Sequence, residues 1–260
     1  MVGARALAGC LKDDGAIELM LYAKYGRFAV ETIQSFCRSL ALSQDERSVE
    51  IVRKLIAQLK TSHPIHAAIK QVEDIGYSSG IIDLFLHGRD RSYTVADCMD
   101  LLAGAGLVLQ GWIDNAMYYP ELHFSADLCQ LIAALPEQKI WEAMEPLMTA
   151  HSLHSFVACK PARDQAEYRL DFSNPRFLEF VPAWRLDVRL DFEACRMVRP
   201  NGEATFPRWA VDLLRSIDGC RMIGELRNSA RATPSLEFCS ALFGSLWKAG
   251  AVLFRIPSPR

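Results

Sequence analysis

The sequence predicts an α/β fold with a helical insertion, followed by a smaller α+β module. Three observations carry that prediction. Mostly apolar runs at 16–22, 107–113 and 154–159 read as strands. The stretches between them repeat apolar residues at spacings of three and four, the period of a helix. Pro161, Pro175 and Pro182 then mark a linker over 161–183, separating residues 1–160 from a tail at 184–260.

The elements follow in order. Leu7-Ala8-Gly9-Cys10 has the look of a lipoprotein processing site, but a signal peptide needs about 7–15 apolar residues before its cleavage point. Only seven residues are available, and Arg5 interrupts them. The segment reads instead as an amphipathic helix with Ala6 and Cys10 on one face. Asp14-Gly15 is a turn signal, and 16–22 follows as a strand suited to burial on both faces. Such a strand needs neighbours on both edges, so an unpaired edge and self-association are expected.

Residues 26–94 read as mainly helical. Val49, Val52, Leu55, Ile56 and Leu59 form one apolar stripe, with Asp45 and Glu46 suited to the first turn. Ser62-His63-Pro64 stops that helix, and Ile81, Leu84 and Phe85 mark another. Thr94 and Asp97 have capping-box spacing ahead of a helix that ends at Gly104 or Gly106. A helical stretch is predicted over 124–148. In the tail, 208–217 is amphipathic, short helices begin at Met222 and near Phe238, and 251–256 closes as a strand. That order suggests a winged-helix-like module.

Composition limits the function. A formal charge of -2 over 260 residues gives no general attraction to nucleic acid or anionic membrane. No apolar run approaches the roughly 20 residues of a membrane-spanning helix. The eight cysteines are scattered and form no CxxC pair, which argues for reduced thiols in a cytoplasmic protein over a zinc knuckle or disulfides. His63/His66 and His151/His154 are each spaced three apart, yet no acidic ligand accompanies them at motif spacing, so no metal is expected. From Trp184 onward 12 Lys/Arg stand against 8 Asp/Glu, a balance of +4. They are interleaved, which argues against a phosphate-tracking helix, although DNA binding stays open as an alternative.

Two resemblances add to this reading. Leu11-Lys12-Asp13-Asp14-Gly15 with the strand after it resembles the late helix-to-strand passage of class I S-adenosylmethionine-dependent methyltransferases. Tyr22-Ala23-Lys24-Tyr25-Gly26-Arg27 is similar to the YAxYGR element of a bacterial subgroup carrying a long helical insertion. The stretch from Asp83 to Val95, which includes Phe85-Leu86-His87-Gly88-Arg89-Asp90-Arg91-Ser92-Tyr93-Thr94, resembles that subgroup's DxFLHPxDRxYTV element, with Gly88 in place of proline. Ala105-Gly106-Leu107-Val108-Leu109-Gln110-Gly111-Trp112 resembles its AGLxFxGW strand, with Leu109 in place of an aromatic. The tail, through Pro200-Asn201-Gly202 and Asp218-Gly219-Cys220-Arg221-Met222-Ile223-Gly224-Glu225-Leu226, is similar to PqqD-like winged-helix modules, which often hold peptides by strand addition.

The first resemblance implies a partial doubly wound methyltransferase sheet with a helical lid, and methyl transfer to a small-molecule or peptide acceptor. It implies an acceptor pocket lined by Tyr22, Tyr25 and Arg27, with Arg91 and Tyr93 contributed from the lid. His87 is its weak candidate for a catalytic base, set against a structural capping role. Arg27 and Arg91 suit an anionic group, or simply solvated helix ends. The family's cofactor, S-adenosylmethionine, needs a glycine-rich turn after a strand and an acidic residue about 20 positions on. The one glycine cluster, Gly104-Ala105-Gly106, precedes a strand. The reading is therefore a methyltransferase fragment that binds no cofactor alone: a gene fragment, a shortened gene model or half of a split protein. The alternatives are a non-enzymatic binder of a peptide or partner chain through the tail, the missing amino-terminal half included, and a winged-helix DNA binder.

Overall fold

Asp13, Asp14 and Gly15 turn the chain from α1 (Val2–Cys10) into β1 (Ala16–Ala23) in the computed structural model, which describes residues 2–70 and 73–257. Four helices follow: α2 (Phe28–Ser39), α3 (Glu46–Gln58), α4 (Pro64–Ile69) and α5 (Ser78–Phe85). Next come β2 (Ser92–Tyr93), α6 (Val95–Ala105), β3 (Val108–Trp112), α7 (Ala126–Ala133), α8 (Glu137–Met144) and β4 (Leu153–Cys159). Strands β1 to β4 form a mixed sheet in the order β2-β1-β4-β3, with β1 and β2 parallel and β3 and β4 antiparallel.

The chain divides into two compact units. One comprises residues 1–19, 99–145 and 155–260; the other comprises 20–98 and 146–154. In the second unit α2 to α5 close around Val30, Ile33, Val49, Val52, Ile65, Ile81 and Phe85. Each such side chain fully removed from water contributes roughly 1.5–3 kcal/mol. The helix starts are set as the sequence suggests. Asp45 accepts from the Ser48 amide at 2.8 Å. Thr94 and Asp97 cap reciprocally, the Asp97 amide donating to Thr94 Oγ1 at 3.1 Å and the Thr94 amide to Asp97 Oδ2 at 2.9 Å. Pro64 both follows the end of α3 and occupies the first turn of α4, where His63 Nδ1 accepts from the Ile65 amide at 3.2 Å.

In the first unit the tail is built from β5 (Val181–Trp184), β6 (Arg189–Asp191), β7 (Arg196–Arg199), β8 (Gly202–Thr205), α9 (Val211–Arg215), α10 (Ile223–Ser229), α11 (Leu236–Lys248) and β9 (Val252–Arg255). β6, β7 and β8 form an antiparallel sheet in that order, and β5 pairs antiparallel with β9. Phe177, Phe180, Leu213, Leu214, Ile223, Phe243 and Val252 fill the core between them. One buried polar hub joins this tail to the loop after β3. Arg199, whose side chain has no exposed surface, donates to Asp114 Oδ1 and Oδ2 at 3.0 and 2.8 Å, to Asp187 at 3.0 Å and to the Ala249 carbonyl at 3.0 Å.

Four expectations need correction. β1 is not buried on both faces: Ala16, Glu18 and Met20 are exposed and alternate with half-buried residues, the pattern of a strand covered on one side. On α1 the buried residue is Ala8, while Ala6 and Cys10 face outward. The helix expected over 124–148 is broken, because Pro136 cannot continue α7 and instead sits ahead of α8. Strands β6 to β8 fall where no strand was read, since runs such as Arg-Leu-Asp and Gly-Glu-Ala-Thr are too short and polar to stand out. Among the described residues no helix is long and apolar enough to cross a membrane.

Candidate functional site

Ligands of open α/β sheets gather at the carboxyl ends of strands, and that end of β1 carries most of the residues singled out in the sequence. β1 meets β2 only there, with Tyr22 opposite Ser92 and Ala23 opposite Tyr93. The Lys24 amide continues the ladder by donating to the Tyr93 carbonyl at 3.0 Å, and the Ala23 amide donates to the Ser152 carbonyl at 2.9 Å. His154, fully buried, lies with Nε2 3.0 Å from the same Tyr93 carbonyl. A carbonyl only accepts, so Nε2 carries the hydrogen.

The register separates the site residues into two groups. Residues opposite one another share a face, so Tyr22 and Tyr93 point to opposite faces of the two-strand ladder. On one side the Arg27 guanidinium lies 3.7 Å from the centre of the Tyr22 ring and is ion-paired with Asp90. Gln34 Nε2 also donates to Asp90 at 2.8 Å, and to the Leu84 carbonyl at 2.9 Å. Arg27 is 5% exposed, so its charge is committed inside the protein rather than offered to solvent. On the other side Arg91 lies 4.6 Å from the Tyr93 ring centre and 3.1 Å from Asp97. The Thr94 backbone amide is the largest influence holding the Asp97 carboxyl below its usual range, although burial opposes it.

Tyr25 is partly exposed beside these groups in sequence. His87 is exposed and accepts from the Arg89 amide through Nδ1 at 3.2 Å, which makes it a turn-forming side chain. Gly26, within the same run as Tyr22 and Arg27, packs so tightly that an added Cβ would fall inside the radius of the His151 carbonyl oxygen. Sequence reasoning missed Asp90 as the partner of Arg27 and Gln34 as the second donor to Asp90. The charged residue in the Asp90-Arg91 pair was visible, but nothing local showed which side chain it would meet.

The first unit holds a separate feature, a mainly apolar cleft of about 740 Å³. Its walls include β8 through Ala204 and Thr205, α11 through Phe238 and Leu242, and Phe124 and Trp209. β8 is the outermost strand of its sheet.

No family model matches this chain. Among solved structures it is similar to PKMT2 from Rickettsia typhi, with a TM-score of 0.59 at 13% identity, covering 98% of this chain and 54% of that one. The structure of the same protein in complex with AdoHcy gives a TM-score of 0.57 at 11% identity, covering 98% and 55%. The chain shares the fold of the part of those structures that it covers. It spans about half the length of the solved structures it matches.

Proposed function

We propose that this chain supplies the acceptor-side part of an S-adenosylmethionine-dependent methyltransferase and that the cofactor is held by sequence outside these 260 residues. The observation that carries this reading is the likeness along 98% of the chain to roughly half of PKMT2, one of whose structures contains AdoHcy. The order of the motifs from Tyr22 to Trp112 supports it independently.

In this reading the carboxyl end of β1 borders the acceptor site. Tyr93 presents its ring and hydroxyl to a small-molecule or peptide acceptor on one face of the ladder, while Tyr22, followed in sequence by Tyr25, lies on the opposite face. Arg27 acts through Tyr22: its ion pair with Asp90 fixes the turn after β1 and holds the ring in place. Arg91 is the accessible cation of the group, its side chain 65% exposed. His87 remains the weak candidate for a proton acceptor. A second polypeptide segment, the amino-terminal half of such an enzyme, completes the sheet beside β1.

Calorimetry tests the cofactor assignment. Titrating S-adenosylmethionine into the isolated chain is expected to give only heats of dilution. Saturable one-to-one binding overturns the assignment.

A second reading, a peptide or partner binder acting through a winged-helix-like tail, is favoured by the cleft beside β8. An outermost strand with an apolar trough against a helix suits an extended peptide that adds to the sheet. The room is bounded at one end, because Gly202 lies against the Leu122 carbonyl so closely that a Cβ there would sit 2.9 Å from it.

A further inference from the structure

We propose that a second cleft in the first unit binds an organic cation of the alkylated-ammonium class, an assignment that stands apart from methyl transfer. The cleft measures about 910 Å³, a size suited to an organic ligand. Its lining includes four aromatic rings in contact, one after another. The ring centres of Trp141 and Tyr119 are 6.3 Å apart, those of Tyr119 and Trp247 5.7 Å, and those of Trp247 and Phe172 6.1 Å. The successive planes meet at 84°, 50° and 46°, so the ring faces turn in several directions instead of closing into one stack. Tyr119 is buried, while Trp141, Trp247 and Phe172 keep part of their surface open. The face of an aromatic ring is electron-rich and attracts a cation, tryptophan most strongly.

The charges in the lining favour the same sign of ligand. Glu137 and Asp171 are exposed there and accept only from neutral groups. Glu137 accepts from the Tyr119 hydroxyl at 2.7 Å, and Asp171 from the Ser173 amide and hydroxyl at 2.9 and 2.6 Å. The Ser173 hydroxyl is the largest influence holding the Asp171 carboxyl below its usual range. Burial is the main reason the Tyr119 phenol is pushed far up, with Glu137 adding to it, so it stays a neutral donor. Two cations also line the cleft. Lys248 is paired with Glu121 at 3.2 Å, and Arg169 reaches Gln165 at 3.4 Å while its charge also acts on Asp171. Setting Lys248 against Glu121 and Arg169 against Asp171 leaves Glu137 as the carboxylate without a countercharge. A hard metal ion needs oxygen ligands on every side, which rings do not supply, and no cluster of metal-ligating side chains occurs among the described residues. An alkylated ammonium fits both features: its methyl groups lie against the rings and its charge answers Glu137.

The test follows tryptophan fluorescence of the full chain during titration with choline and with 3,3-dimethylbutan-1-ol, the same shape with carbon in place of the charged nitrogen. Choline is expected to give a saturable change, and the neutral alcohol to bind about tenfold more weakly. In Glu137→Gln the choline affinity is expected to fall by about tenfold, while the alcohol is unaffected. Glutamine keeps an oxygen for the Tyr119 hydroxyl, so the melting temperature stays near wild type. A loss confined to the charged ligand separates recognition from folding. The assignment is overturned if choline gives no saturable change, if the alcohol binds as tightly, or if wild type and Glu137→Gln bind choline alike.

Discussion

Replacing Arg199 with methionine is expected to destabilise the first unit by about 3–5 kcal/mol, the range for removing one partner of a buried ion pair. In a protein of this size that is a drop in melting temperature on the order of 10 °C. The loss is large because one side chain serves three elements: the loop after β3 through Asp114, the turn before β6 through Asp187, and the end of α11 through Ala249. Methionine fills much of the space and leaves Asp114 without its countercharge. Arg199→Lys is expected to recover only part of the loss, since an ammonium cannot reproduce the two parallel bonds to one carboxylate. A thermal melt of Arg199→Met within a degree of wild type would show that the hub is dispensable.

The same pair sets an acid limit. Burial pushes the Asp114 carboxyl up, but the hydrogen bonds and charge of Arg199, with the Ala116 amide and Arg185, hold it below its ordinary value. A depressed folded value means that its contribution is complete above the unfolded carboxylate range, about 3.9, and is lost as pH falls through the folded value. The gap between wild type and Arg199→Met therefore narrows in acid.

Gly26→Ala is expected to cost about 3 kcal/mol or more in the second unit, at or beyond the upper end of overpacking penalties. The added methyl meets backbone, not a side chain that can swing away. It collides with the His151 carbonyl and lies 2.8 Å from Ser152 Cα. Relief requires moving either the turn after β1 or the segment leading into β4, and both hold the Tyr93 carbonyl network. Urea unfolding reads the effect as a fall in midpoint. A midpoint equal to wild type would mean that the turn relaxes freely.

Much of the fold was legible because local chemistry and tertiary context agree. The Thr94–Asp97 box, the Asp45 cap and the apolar stripes of α3 and α5 each act within a few residues, so spacing alone reveals them. Gly106 ends α6 with φ +73°, where a side chain is disfavoured. The rest depends on distant partners. Arg27 finds Asp90 across 63 residues and Arg199 finds Asp114 across 85, separations that no window encodes. The one-sided burial of β1 was misread because Leu, Met and Ala look equally suited to either face. Of the site, the residue types at the end of β1 were visible. That register would set Tyr22 and Tyr93 on opposite faces was not.

The free edge of β1 is the feature on which the proposed function most depends. β2 covers it only at Tyr22 and Ala23, so residues 16–21 have no partner on that side among the described residues. Residue-resolved amide exchange on the dilute isolated chain reads this directly, because successive amides of a strand point to opposite edges. Alternate amides over 17–21 are expected to exchange at nearly unprotected rates, while their neighbours on the β4 side stay protected. Equal protection of every amide in that stretch would contradict it, and with it the place reserved for another polypeptide's strand.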